Sequence, residues 1–395
     1  MHTNWTRPEA DFAAPPTRGI IIPSGGTVLV TNAYIVIKIL REFHNCKLPI
    51  DVVYNGPKEL DEQTKRVLES KWENVSVIDA QDFPYPAHHR PVAVEHFVFK
   101  TYAFYHARFD QVLVLDSDSL PLRDPEELFN SREFQRSGNL FWADFSSKFP
   151  SKAYALFGLP TPEPSAHWLR TTESGEFLFD RRVLADVAEW IWFVNSVGPS
   201  GIYKYMWGDK DTFQLAFNLA GKGDAFRQVP QYPRALLCKV PGVGDKYDHV
   251  GMLQSDMAGK PMFAHRTHVG KFRPHDKRSC YGINYISVPL SEQRGKTLHG
   301  WGVFPDGVKD IIDIRPRDSC NFTRPVYYNE ECGADVESTA FPFPVFSIED
   351  FDEPMKEVVY ASYRAFWEVK ALVKQGEILA HTCKTYDLGG KGNDC

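Results

Sequence analysis

Asp116-Ser117-Asp118 closes an apolar run, Gln111 to Leu115 (QVLVL), that suits a central strand buried on both faces. Two carboxylates delivered at the end of such a strand offer adjacent oxygen ligands to a hard divalent ion, Mn²⁺ or Mg²⁺. An ion held there can grip a diphosphate that bare carboxylates would repel. The carboxyl ends of strands are also where α/β sheets bind ligands. The competing reading is a pair of solvated turn carboxylates, and the strand in front of them weakens it. His265 and His268 follow a second short apolar strand (PMFAH, 261–265), with Arg266 and Lys271 close by. An imidazole here can complete a metal site begun by Asp116 and Asp118, while Lys271 can neutralise a departing phosphate. Strand alternation turns only one face inward, which favours His265 over His268; surface solvation is the alternative for each.

Two more acidic groups lack a simple structural explanation: Thr172-Glu173-Ser174-Gly175-Glu176 before FLFD, and Gly208-Asp209-Lys210-Asp211 before an amphipathic helix. Both can line a polar ligand site, with small Ser174 and Gly175 admitting close approach to the backbone; plain helix capping is the alternative for Asp209 and Asp211. Phe141, Trp142, Phe145 and Trp207 are core residues by default, with one or two free to stack on a sugar.

From Arg18 to Asp118 short β-type runs alternate with longer helical ones, the pattern of a mostly parallel sheet flanked by helices. Strands are expected at 19–23, 48–54, 75–78 and 111–115. Helices are expected from the Ser24-Gly25-Gly26 turn to near Phe43, at 57–69 and at 94–106. The stretch 27–40, interrupted by Asn32, Tyr34 and Lys38, is too short to span a bilayer and reads as a buried helix. Beyond Asp118 the pattern becomes mixed α+β: a strand at 139–145, a helix at 208–220 and the strand at 261–265. A boundary is expected near 271–278, giving a domain at 18–271 and an extension at 272–395, packed on it, with one helix at 353–379.

A chain of 395 residues, 43% hydrophobic, can bury a large core, and its net charge of −6 lacks the basic excess of a nucleic-acid binder. The N-terminus shows neither signal peptide nor anchor. Seven cysteines without a C-x-x-C pair argue against structural zinc. Four of them follow residue 300, which suits a lumenal disulfide or two, against the alternative of buried free thiols. Asn4, Asn74 and Asn321 begin glycosylation tripeptides, a further lean toward the lumen.

In order and spacing these segments resemble the fungal Golgi α-mannosyltransferases of the MNN group. The resemblance runs over about residues 18 to 271: GIII-x-x-G from Gly19, LR-x(6)-LPI-D from Leu40, K-x-x-A at Lys100, and F-D-x-V-L-x-LD-S-D from Phe109. Then come Leu122-Arg123-Asp124-Pro125, Phe141-Trp142-Ala143-Asp144-Phe145, ESGEFLFD, GDKDTF, Gln254-x-Asp256 and Phe263-Ala264-His265-Arg266. The resemblance implies a GT-A-like fold, α/β with a mixed α+β second half. It also implies retaining transfer of an α-linked sugar, favouring mannose from GDP-mannose, to a glycan or glycoprotein hydroxyl with Mn²⁺. By position Asp116 and Asp118 match the metal and diphosphate motif, and His265 the histidine near the phosphates. Glu173, Asp209 and Asp211 match acidic residues around donor and acceptor sugar, and the loop Pro23, Ser24, Gly25 and Gly26 faces the nucleotide. The chain departs from the family at Ala143 and Ser146, where proline and a second tryptophan are usual, and at Glu176, where glutamine is. The family's type II membrane anchor implies the Golgi lumen, with the anchor outside this sequence; a cytosolic protein is the alternative.

Other classes remain to be told apart: a UDP-sugar transferase, a glycan- or nucleotide-sugar-binding relative without turnover, a glycosidase, or a nucleotidyltransferase. A glycosidase needs two carboxyls flanking the bond, for which a strand-end D-x-D is ill placed. A nucleotidyltransferase needs a basic first loop, and Pro23-Ser24-Gly25-Gly26-Thr27 carries no base. Metal-dependent nucleotide-sugar turnover separates the transferase from the binding protein.

Overall fold

The computed structural model describes residues 14–84, 96–145, 149–163, 170–199, 201–206, 208–239, 247–267, 271–274, 285–287, 345–347 and 353–379. The first sheet begins with four parallel strands, β1 (Arg18–Pro23), β2 (Ile50–Tyr54), β3 (Val75–Asp79) and β4 (Gln111–Leu115), in the order β3-β2-β1-β4. A short strand, β5 (Ser119–Pro121), follows the Asp116–Asp118 turn and belongs to a second sheet. β6 (Asn139–Ala143) and β7 (Thr172–Asp180) complete the first sheet beyond β4, with β7 antiparallel to both neighbours.

The second sheet is antiparallel, ordered β12-β11-β8-β9-β10-β5. Its members are β8 (Arg234–Lys239), β9 (Tyr247–Ser255), β10 (Pro261–Arg266), β11 (Tyr285–Ser287) and β12 (Val345–Ser347). The helices are α1 (Gly26–Lys38), α2 (Glu62–Lys71), α3 (His96–Tyr105), the short α4 (Glu126–Phe129), α5 (Arg132–Ser137) and α6 (Ser151–Leu156), then α7 (Ala185–Ser196), α8 (Thr212–Leu219) and α9 (Glu353–Gln375). The architecture is the expected α/β one, a mostly parallel sheet flanked by helices with a mixed second half.

Side-chain alternation along the strands sorts the core into two layers. Ile20, Ile22, Leu113 and Leu115 join Val30, Tyr34 and Ile37 of α1 and Val358 and Val369 of α9. Ile21, Val112 and Val114 join Val98 and Tyr102 of α3, Val187 and Ile191 of α7 and Phe213 of α8. Each such aliphatic side chain contributes about 2 kcal/mol by leaving water.

Several boundaries move, each for a local reason. α2 starts at Glu62, after a turn, because the Asp61 carboxylate accepts from the Thr64 N–H and caps it there. The first helix is α-helical only to Lys38 and finishes as a π turn, Ile39–Phe43. α8 starts at Thr212, four residues later than expected, so Asp209 and Asp211 precede it; no side-chain capping bond is made by Asp211. Strand β6 stops at Ala143, and α9 stops at Gln375.

Among the described residues no helix is long and apolar enough to cross a membrane. Cys46 is a buried free thiol, whereas the Cys238 side chain, Cys280, Cys320, Cys332, Cys383 and Cys395 lie outside the description. Asn74 is exposed, in a turn with φ 55°; Asn4 and Asn321 are outside the description.

Candidate functional site

The site assembles where the two sheets meet. Immediately after the Asp116–Asp118 turn, β5 pairs with β10 so that Ser119 stands opposite His265, and the Arg266 N–H donates to the Asp118 carbonyl at 2.8 Å. Two elements far apart in sequence, the turn after β4 and the end of β10, thus place ligand atoms of Asp116, Asp118 and His265 within 4.8 Å of one another. His265 Nε2 lies 3.7 Å from Asp118 Oδ1, and Lys271 Nζ lies 2.7 Å from Asp118 Oδ2.

β7 supplies the next side of the site through an irregularity. Its register against β6 jumps from Phe141–Phe177 to Trp142–Glu173, leaving Ser174, Gly175 and Glu176 bulged out of that ladder. Glu173 Oε1 accepts from the N–H groups of Ser174 and Gly175 at 2.9 and 3.0 Å and stands 3.5 Å from His265 Nδ1. Gly175 is required by packing: a Cβ there would come within 2.4 Å of the His265 ring. Glu176 turns into the protein, where Ser119 Oγ donates to it at 2.7 Å.

Two lysines that sequence reasoning did not single out as site residues occupy the centre. Lys100 Nζ in α3 lies 2.9 Å from Asp116 Oδ2 and 3.4 Å from Asp209 Oδ2, and it donates to the carbonyl and hydroxyl of Ser174. Lys210 pairs with Asp144 at the end of β6. The available signal was polar residues inside otherwise buried segments, Lys100 in HFVFKTYAFY above all. Asp209 joins the network through Ser174 Oγ at 3.2 Å, while the charge of Asp211 acts on Lys210 and Tyr154.

Burial is the largest single influence on each of these groups, and neighbouring charges decide whether it prevails. It works against protonation of His265, but Asp118, Glu173, Glu176 and Asp116 outweigh it and raise the imidazole's pKa. Burial alone would raise Asp118; Lys271 and His265 overcome it and hold that carboxyl below its ordinary value. Desolvation pushes Glu176 up to about 7 and also raises Asp209, against the pull of Lys100. For Lys100 desolvation is outweighed by Asp116 and Asp209, so its pKa is raised.

Asp116, Asp118 and His265 fit a divalent cation: two hard oxygen donors and an imidazole share a cluster with more carboxylates than cationic partners. Cys46, Asp124 and Glu126 form another close group. There, burial and Asp124 push the Cys46 thiol up to about 12, and the Asp124 carboxylate already caps the Glu126 N–H, so that group reads as structure.

The first loop also lies at the carboxyl edge, after β1. Ser24 is buried, and its hydroxyl has no hydrogen-bond partner among the described residues; α1 begins behind it with no side-chain cap on Gly25. Other motif residues turn out to be braces. Gln254 donates to the Ala143 carbonyl, and Asp256 pairs with Arg123 at 2.6 Å. Phe141, Trp142 and Phe145 are buried in the core rather than open to a ligand. Trp207 and His268 lie outside the described residues.

Residues 17–168 match the family model described as "Mannosyltransferase putative". The similarity is to mannosyltransferases. Alpha-1,2-mannosyltransferase MNN22 of Candida albicans is 27% identical over 176 residues, 35% of this chain and 30% of its own length. Alpha-1,2-mannosyltransferase MNN2 of Saccharomyces cerevisiae is 22% identical over 241 residues, 50% of this chain and 39% of its own. The resemblance read from the motifs and these matches name the same MNN group, and the matched part spans about a third of those relatives' length. Among solved structures, galactosyltransferase LgtC with donor and acceptor sugar analogues matches at TM-score 0.35 and 14% identity, covering 53% of this chain and 73% of that one. Mouse xyloside xylosyltransferase 1 matches at 0.37 and 13%, covering 53% and 83%.

Proposed function

We propose that this chain is a metal-dependent, retaining glycosyltransferase that moves mannose from a nucleotide sugar, GDP-mannose by preference, to a glycan hydroxyl. The observation that carries the reading is the convergence of Asp116, Asp118 and His265 within 4.8 Å at the carboxyl edge of a parallel sheet, with Lys271 2.7 Å from Asp118. Mn²⁺ or Mg²⁺ held there would supply positive charge against the donor diphosphate. Ser24, Gly25 and Gly26, after Pro23, line the nucleotide side, and Lys271 stabilises the diphosphate as the bond from the sugar C1 to its oxygen breaks. The acceptor oxygen bonds to C1 on the same face, and its proton passes to the departing phosphate oxygen. Glu173, Asp209 and Asp211 are the acidic residues placed around donor and acceptor sugars. Lys100 positions Asp116 and Asp209.

The MNN resemblance supports a protein-glycosylation role in the Golgi lumen. Residues 18–271 are read as the GT-A glycosyltransferase domain and 272–395 as an extension packed on it; β11, β12 and α9 are the parts of that extension seen against the rest. The test is a panel of nucleotide sugars incubated with the protein, with and without Mn²⁺. Mn²⁺-dependent release of GDP from GDP-mannose is expected. Release from a UDP-sugar instead would move the donor assignment, and no metal-dependent turnover of any donor would defeat the transferase reading.

A further inference from the structure

α3 runs back toward the start of β4, so its first turn stands at the same carboxyl edge as Asp116. Lys100 points from that turn into the buried cluster, and Phe97, three residues earlier, shares its side of the helix. Phe97 is 44% exposed, whereas Lys100, Asp118 and Asp209 are each under 10%. Its ring is nonetheless held. A Cβ on Gly208 would come within 2.7 Å of Phe97 Cδ2 and 2.8 Å of Cε2 and Cγ, so bare backbone backs the ring. Gly208 has φ +69°, which admits glycine most readily. Tyr203 meets the same ring edge-on, with centroids 6.1 Å apart. The residue after Gly208 is Asp209, 3.4 Å from Lys100 Nζ. A fixed aromatic surface therefore sits at the solvent rim, one helical turn from the buried charges.

Resting on the transferase reading, we infer that Phe97 stacks on the acceptor glycan, taking the apolar C–H face of a pyranose ring against its open side. The π face is negative and the ring C–H groups are weakly positive, so the pairing adds electrostatic attraction to area burial. The acceptor, rather than the donor, is assigned for reasons of place. The donor's diphosphate is drawn to the buried group at the ends of β4 and β10, and its nucleotide to the loop after β1. Phe97 stands against Gly208, next to Asp209, and its other side is open to solvent, from which a glycan arrives. Of the four aromatics that the sequence suggested for stacking, Phe141, Trp142 and Phe145 are buried and so leave this role unfilled, and Trp207 lies outside the described residues.

The test uses the full chain with Mn²⁺, GDP-mannose and an α-linked mannose oligosaccharide. Phe97→Ala and Phe97→Leu should each raise the acceptor KM about tenfold, and Phe97→Trp should restore it. Donor KM and acceptor-independent hydrolysis should stay within about twofold of wild type, as a merely misfolded variant would not allow. Phe97→Leu keeps an apolar side chain without the aromatic face and so separates stacking from simple hydrophobic contact. An unchanged acceptor KM, or an equal rise in donor KM, overturns the inference. If the wild-type chain turns over no donor, the transferase reading has failed. Calorimetric titration with the same oligosaccharide then decides Phe97 alone: weaker binding by the Ala and Leu variants supports it, and equal binding overturns it.

Discussion

At the carboxyl edge of the first sheet, Asp116, Asp118, Asp144, Glu173, Glu176, Asp209 and Asp211 share Lys100, Lys210, Lys271 and one imidazole, and all the carboxylates but Asp116 are buried. At the contact between α1 and α9 the charges balance: Glu368, a third exposed, accepts from Tyr34 at 2.5 Å and pairs with Lys38 at 3.0 Å and Lys71 at 2.8 Å, and Glu42 pairs with the same Lys38 at 2.5 Å. The second cluster is complete as it stands. The first buries negative charge beyond its own cations, an arrangement that is costly unless something positive joins it. Surplus buried charge, rather than the number of charges, distinguishes a ligand site from a clasp.

The largest effect should come from removing a carboxylate from the proposed cation site. Asp118→Asn keeps the shape and removes a ligand, and turnover should fall about 10²-fold or more with a raised Mn²⁺ requirement. Thermal unfolding should move only a few degrees. Wild-type turnover and an unchanged Mn²⁺ titration would take Asp118 out of the site.

Next comes the link between the two regions. Phe366 of α9 is buried and stacks on Phe272 with centroids 4.8 Å apart, and Phe272 in turn carries the Arg266 guanidinium 4.0 Å from its ring centre. Phe272 follows Lys271, and Arg266 follows His265. Phe366→Ala should therefore cost about 3–4 kcal/mol in denaturant unfolding. At temperatures where the variant is fully folded, its Mn²⁺ requirement should also rise. A stability loss with unchanged Mn²⁺ response would show that the two regions are independent.

The third test asks what the surplus costs. Glu176 has a folded-state pKa raised by burial to about 7, so its carboxyl destabilises the fold as pH rises from its unfolded value toward 7 and above. Glu176→Gln can still accept from Ser119. With chelator present, the variant should melt higher than wild type at pH 8 and equally near pH 4. Equal melting at both would mean the buried carboxyl carries no penalty.

How far this was legible differs between the regions for a physical reason. Local pattern places β4, the D-x-D turn and His265, because a strand and its end are written in consecutive residues. The centre of the site is not written that way: Lys100 reaches Ser174 and Asp209 only because the β7 bulge and the delayed start of α8 bring them together. The interruptions in the α1 run carried a message that hydropathy alone leaves unread. Asn32 donates to the Phe272 carbonyl at 2.9 Å and accepts its N–H at 3.1 Å, while Tyr34 and Lys38 receive Glu368. Polar residues in a buried helix were sockets for segments more than 200 residues away, and no local period reports a partner so distant.

The smallest effect belongs to the complete cluster. Burial would raise Glu368, but bonds from Lys71, Tyr34 and Lys38 overcome it and lower its pKa to about 2. Because the folded value lies below the unfolded one, Glu368 contributes stability that is present above about pH 4.5 and fades as pH falls toward 2. Its exposure to solvent keeps that contribution small and salt-sensitive. Glu368→Gln should thus lower the melting temperature slightly at pH 7, less so in high salt, with the gap from wild type closing below pH 4. Turnover and Mn²⁺ requirement should not move, since the substitution leaves Phe366 on Phe272. A changed Mn²⁺ requirement in this variant would mean that the clasp's charges, and not only its aromatic stack, reach Asp116, Asp118 and His265, and the contrast between a complete cluster and an incomplete one would fail.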